Sequence, residues 1–254
     1  MNAPLVLGGA AIGLLVGSFL GAVAMRLPRG EGVVLGRSRC DSCGRRLRAC
    51  DLVPVLSFAW NRGRCSACGA AIDNLHLLSE LGGAVVGAMA VLVPGAWPDS
   101  LLTALFGWQL LLLALLDGRH FWLPPPLLAL LAATAAGLPA LAGARGEAVA
   151  SLALAQIMGG AFGFAVLAAP ALAYRLLRKR EGLGAADPWL LGAVGLWLGP
   201  AGTALALLLA AAAGLAAALA MRLAGRAVAA DSALPLGCLM ALSAFAIHMV
   251  LPLA

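Results

Sequence analysis

Between Asp187 and Arg222 the chain runs for 34 residues without a charged side chain. A stretch of that kind folds only where it is surrounded by a large core or by lipid. Similar shorter runs precede and follow it, and across 254 residues 63% are hydrophobic and 11% charged. A soluble domain carries about 25% charged residues, so the chain reads as a polytopic membrane protein. Its wealth of Ala, Leu and Gly indicates helices rather than the alternating pattern of a barrel. The expected fold class is all-α, with about eight transmembrane helices over 4–25, 77–95, 100–116, 122–143, 149–174, 188–200, 201–221 and 233–253. The sixth and seventh meet at Gly199, Pro200 and Gly202, a sequence that reverses a chain or kinks one continuous helix.

The basic residues favour the reversal, because segments rich in Lys and Arg stay in the cytoplasm. With eight spans and the amino terminus outside, 16 of 17 basic residues share the cytoplasmic side. These are Arg26 to Arg64, Arg119, the cluster from Arg175 to Arg180, and Arg222 with Arg226; Arg145 alone lies outside. A single crossing over 188–221 would send Arg222 and Arg226 outside. The net charge of +6 therefore marks topology and contact with an anionic lipid bilayer, and its distribution gives no reason to expect nucleic acid as a partner. Met1–Arg26 has no basic start or cleavage-site pattern and is expected to remain as the first helix.

The one large polar segment, 27–76, carries Cys40-Asp41-Ser42-Cys43 and Cys65-Ser66-Ala67-Cys68, two CxxC pairs separated by 21 residues. Two residues between cysteines let both thiolates face one ion, and Gly44 and Gly69 follow where the backbone must turn. Four thiolates around a structural zinc is the expected arrangement. A cytoplasmic loop disfavours disulfides, and a dithiol redox pair would not need a second matched knuckle. Cys50 and Cys238 stand outside the pattern and are expected to pack as small apolar residues.

Asp117 and Asp187 each end or begin an apolar run, on what the span count makes one membrane face. Taken singly, Asp117 reads as an interfacial charge beside Arg119, and Asp187 as a helix cap before Pro188. Taken together, two carboxylates at one face can share a proton, as in an aspartyl protease. His76 and His120 are expected at interfaces and His248 inside the protein.

These residues resemble those of the prepilin peptidases, type IV leader peptidases of the GxGD class of intramembrane aspartyl proteases. Gly17-Ser18-Phe19-Leu20 with Arg26-Leu27-Pro28 is similar to the family's first helix. The cysteine loop resembles its loop, including Pro54, Ser57, Arg62-Gly63-Arg64-Cys65, Ile72 and then Glu80. Asp117 followed by Leu123-Pro124 matches the first catalytic motif, except that Pro125 replaces a second Asp. Gly182-Leu183-Gly184-Ala185-Ala186-Asp187, after Glu181, aligns with the Gly-x-Gly-Asp motif. There Ala186 replaces Gly, Trp189 replaces Lys, and near the end Cys238 replaces Pro after Pro235-Leu236-Gly237. A left-handed turn at 186 would make the Ala costly.

The resemblance implies cleavage of the basic leader of prepilin or pseudopilin precursors of type IV pili and type II secretion, with Asp117 and Asp187 as the catalytic pair. It also implies methylation of the new amino terminus from S-adenosylmethionine, for which the sequence offers no glycine-rich nucleotide motif. Glu80 then becomes a candidate for substrate or methyl-donor handling, against a plain partner for loop arginines. The implied organisation is a first transmembrane helix at 1–26, a cytoplasmic tetra-cysteine zinc-binding loop domain at 27–76, and a membrane-embedded aspartyl peptidase core at 77–254. The implied place is the bacterial inner membrane, with the active site facing the cytoplasm. Two alternatives remain open: a prepilin-binding assembly protein that does not cut, and a transporter whose loop is stabilised by zinc.

Overall fold

The computed structural model describes residues 3–32, 37–180, 182–225 and 234–251. Glu181, Arg226 and the ends of the last expected span lie outside the described residues. The described residues are helical, with no strand beyond two isolated bridges among them. In chain order the helices are α1 (Ala3–Arg26), α2 (Leu56–Trp60), α3 (Asn74–Ala90), α4 (Trp97–His120), α5 (Pro125–Thr134), α6 (Gly137–Ala144), α7 (Val149–Arg178), α8 (Asp187–Leu223) and α9 (Leu236–Val250). Among the described residues five stretches are long and apolar enough to cross a bilayer: α1 with its following turn, α4, α5 with α6, α7 and α8. The chain divides into two compact units after Leu115, within α4.

In the first unit α1 and α3 pack at backbone contact. Gly9, Gly13, Gly17 and Gly21 recur every fourth residue on one face of α1. A Cβ on the first three would strike the backbone at Gly87, Gly83 and Ser79, and at Gly21 it would strike the Ser79 hydroxyl. Lipid supplies no hydrophobic force to hold helices together, so such close approach is how they associate. Trp108 Nε1 of α4 donates to the Gly83 carbonyl at 3.2 Å, and Leu111 fills the space at Gly82. Helix α3 stops at Ala90, short of the 95 expected, with Pro94 following soon after its end, as proline commonly does.

In the second unit α7 and α8 repeat the device. Gly159 meets Gly195 and Gly199, and Gly163 meets the Leu191 carbonyl. The same Gly163 lies so that an added Cβ would also sit 3.1 Å from Thr203 Cγ2, yet residues 191 and 203 would be about 18 Å apart along a straight helix. The chain therefore doubles back within α8. The pivot is Gly199, at φ 65 and ψ −179, a conformation open essentially to glycine alone, and Pro200 starts the return. Counted on each side of this pivot, the expected eight spans each coincide with a helical segment.

The fourth expected span is broken between α5 and α6. Pro139 has no N–H to offer the Ala135 carbonyl, which accepts instead from Leu138 N–H at 3.1 Å and from Gln156 Nε2 of α7 at 3.0 Å. The Leu131 carbonyl accepts from Trp197 Nε1 at 2.8 Å. These two side chains fasten α5 to α7 and α8 inside the apolar core.

Candidate active site and cysteine cluster

Asp117 lies in the last turn of α4 and Asp187 opens α8, and both side chains are buried, with 5% and 7% exposure. Each sits where a helix offers unpaired backbone N–H groups. Asp117 Oδ2 accepts from the backbone N–H of Cys238 at 2.7 Å, in the first turn of α9, so it caps a helix 121 residues further along the chain. Asp187 begins its own helix, where Pro188 is preorganised for the first turn. The two carboxylates are near enough that the charge of Asp117 acts on Asp187.

A glycine makes room for each acid. A Cβ at Gly237 would lie 2.9 Å from Asp117 Oδ2, and a Cβ at Gly184 would lie 2.8 Å from Asp187 Oδ2. Ala186 has φ −91 and ψ −18, so no left-handed turn is required and its methyl costs nothing in backbone strain. Pro125 is the first residue of α5, a place that suits proline. Trp189 is 62% exposed and tilts against Phe164 with ring centroids 4.7 Å apart. Beside it, between α5, α7 and α8, opens a groove of about 850 Å³ lined only by apolar residues, including Ala161, Ala185, Ala186 and Trp189.

The sulfurs of Cys40, Cys43, Cys65 and Cys68 all lie within 4.8 Å of one another, with Cys40 and Cys68 at 4.0 Å. The two knuckles are built alike. Cys40 N–H bonds to the Arg45 carbonyl and Gly44 N–H to the Cys40 carbonyl, both at 2.9 Å; Cys65 with Ala70 and Gly69 repeats this at 2.8 and 2.9 Å. Gly44 and Gly69 turn with φ of 69 and 71. Four sulfurs converging from two matched turns fit a tetrahedral ion with Zn–S bonds of about 2.3 Å. Backbone N–H groups of Cys68 and Ala67 aimed at Cys65 bring its thiol down to about 6. The Ala70 N–H favours the Cys68 thiolate, but desolvation and the neighbouring sulfurs outweigh it and push Cys68 up to about 11. Cys65 thus gives up its proton readily, while Cys68 holds its own until a cation supplies charge.

A polar knot that the sequence did not reveal ties the knuckles together. Arg45 Nη2 donates to Asp51 Oδ2 at 2.8 Å and to Ser66 at 2.7 Å, and Ser66 donates to Asp51 Oδ1 at 3.2 Å. The Arg48 N–H, with Ser66 and the Arg45 and Arg48 charges, holds the Asp51 carboxyl below its usual range. Glu80, buried on α3, accepts from Val55 N–H at 2.7 Å, so it pins the loop backbone. Cys238 is half-buried as expected, but Cys50 is exposed, in a 3-10 turn at Ala49–Leu52. His248 is buried, edge-on to Trp197.

The family described as Bacterial Peptidase A24 N-terminal domain matches residues 11–93, and the Type IV leader peptidase family matches residues 104–219. The chain is similar to a Prepilin leader peptidase/N-methyltransferase of Dichelobacter nodosus, 30% identical over 219 residues, covering 73% of this chain and 72% of the relative. The protein of that name from Aeromonas hydrophila is 33% identical over 217 residues, covering 73% and 70%. The one from Pseudomonas putida is 37% identical over 135 residues, and there the match spans 44% of this chain and 47% of the relative. No solved structure matches the chain.

Proposed function

The chain belongs to the type IV leader peptidase family, and from that premise we propose that it removes the basic leader from prepilin or pseudopilin precursors at the cytoplasmic face of the bacterial inner membrane. The observation that carries this reading is the burial of Asp117 and Asp187 together, each carboxylate beside a helix N-terminus, that of α9 for Asp117 and that of α8 for Asp187, and within reach of the other's charge. Two carboxylates so placed share one proton. The ionised one takes a proton from water as the water oxygen bonds to the scissile carbonyl carbon. The protonated one gives its proton to the carbonyl oxygen. Collapse of the tetrahedral species breaks the C–N bond: one hydroxyl returns its proton to the ionised carboxylate as the carbonyl re-forms, and the protonated carboxyl gives its proton to the departing amine.

The apolar groove suits the helix that follows the leader in such a precursor, because Ala185, Ala186 and Trp189, the sequence neighbours of Asp187, belong to its lining. Cys40, Cys43, Cys65 and Cys68 would hold a structural zinc, which supplies a rigid cross-link and no open coordination site for chemistry. The relatives' names carry N-methyltransferase as well, which supports S-adenosylmethionine as a second substrate. The organisation into a first helix at 1–26, a zinc loop at 27–76 and a membrane core at 77–254 belongs to the same proposal.

The experiment is co-expression with a prepilin precursor, reading its amino terminus by mass spectrometry. Leader loss with wild type and not with Asp187→Asn supports the peptidase, and a methyl group on the new terminus adds the transferase. An intact precursor beside well-inserted protein favours the non-cutting readings. Ala161, exposed in the groove, gives a check on substrate entry. Ala161→Phe is expected to lower cleavage of the full precursor roughly tenfold, about 1.4 kcal/mol, and to spare a short peptide that spans the junction.

A further inference from the structure

The cysteine loop carries an apolar face that its own fold leaves open. Leu52 and Val53 are 42% exposed, Leu56 66% and Trp60 89%. Leu56 and Trp60, four residues apart, lie on one side of α2. The depth of this face follows from the register of α1 against α3. A Cβ at Gly17 would lie 2.8 Å from Glu80 Cα, so Glu80 stands level with Gly17. Arg26, the first charge after the apolar run of α1, is nine residues beyond, or about 13 Å along the helix. Glu80 holds Val55 N–H at 2.7 Å, and a glutamate side chain plus one hydrogen bond reaches less than that distance. The backbone just before α2 therefore lies on the bilayer side of Arg26.

Two further facts fit that placement. Val55 has φ 61, a strained conformation for a β-branched residue, and it persists because Glu80 fixes the adjoining amide. Arg46, Arg48, Arg62 and Arg64 of the same loop are exposed, the charge that an anionic headgroup layer attracts. Tryptophan at the boundary between headgroups and acyl chains is favoured because its ring is apolar and its N–H is polar.

We propose that Leu52–Trp60 is a re-entrant interfacial element, its partner being the bilayer itself, and that Glu80 is the latch that draws it in. The inference stands on the first unit alone and does not depend on the peptidase reading. It is tested in vesicles of phosphatidylethanolamine and phosphatidylglycerol holding the whole protein. The difference in tryptophan emission between wild type and Trp60→Phe isolates Trp60. Nitroxide lipids labelled high on the acyl chain should quench that difference severalfold more than aqueous iodide does. Glu80→Ala should shift the balance toward iodide, while Glu80→Gln, which keeps an acceptor oxygen, should not. Quenching by iodide with none by nitroxide lipid would overturn the proposal and place the face in water, open to a protein partner. As a second readout, a benzophenone amino acid at position 60 should cross-link to lipid; cross-links to protein alone would overturn it equally.

Discussion

Asp117 and Asp187 stand out in the sequence as candidates because an acid bordering an apolar run is costly. Their surroundings do not. The Cys238 N–H that caps Asp117 comes from 121 residues away, and no local pattern announces a partner at that separation. The glycine of the family motif can now be read physically. Gly184 leaves space for the Asp187 carboxylate, and Gly237 does the same for Asp117; neither is among the residues with positive φ. Gly184→Ala is therefore expected to shift the Asp187 carboxylate and cost about a hundredfold in leader cleavage, as a displacement of about 1 Å does. Expression and membrane insertion should stay at the wild-type level on an immunoblot. Asp117→Asn and Asp187→Asn should each lose at least about a hundredfold in rate, the share typical of general acid–base groups. Cleavage surviving in both would refute the dyad. Ala186→Gly should change the rate little, because Ala186 already has helical backbone.

At the scale of elements, apolar length located every span, and the placement of basic residues chose the reversal at Gly199 over one bent helix. What length cannot show is how close two helices come. The fourfold glycine spacing of α1 is visible in the sequence, but its pairing with Gly83 and Gly87 emerges only in three dimensions. Gly83→Val should force α1 and α3 apart, since its Cβ meets the Gly13 carbonyl and rigid backbone cannot yield. A loss of about 1–3 kcal/mol, the usual cost of overpacking, is expected in a denaturant titration in detergent. Gly199→Ala should cost a similar amount, about 1–3 kcal/mol, through backbone strain at its positive φ. The break between α5 and α6 was also hidden, because Pro139 is tolerated only when Gln156 and a tightened turn satisfy the carbonyl it frees.

For the whole molecule, two CxxC pairs predicted a metal cluster, and the four sulfurs do converge. The Arg45, Ser66 and Asp51 knot was not legible, since polar residues in a loop carry no periodicity to indicate their pairing. Stripping metal from purified protein with a strong chelator should expose 27–76 to protease while the membrane helices stay protected. Restored resistance on adding zinc is the expected check, and digestion unaffected by the chelator would argue against a structural ion. Cys43→Ser should reproduce the chelated pattern and lower the amount of protein recovered from membranes.

The bond from Cys238 to Asp117 also sets a timetable for biosynthesis. Asp117 leaves the ribosome well before α9, a helix of only 15 residues, and until that helix inserts its carboxylate lacks the amide that seats it. On the proposed mechanism, a half-made chain threading through the membrane among other nascent proteins would hold its first acid unseated. Under that proposal competence would arrive with the last helix, and the order of synthesis itself would guard against premature cutting.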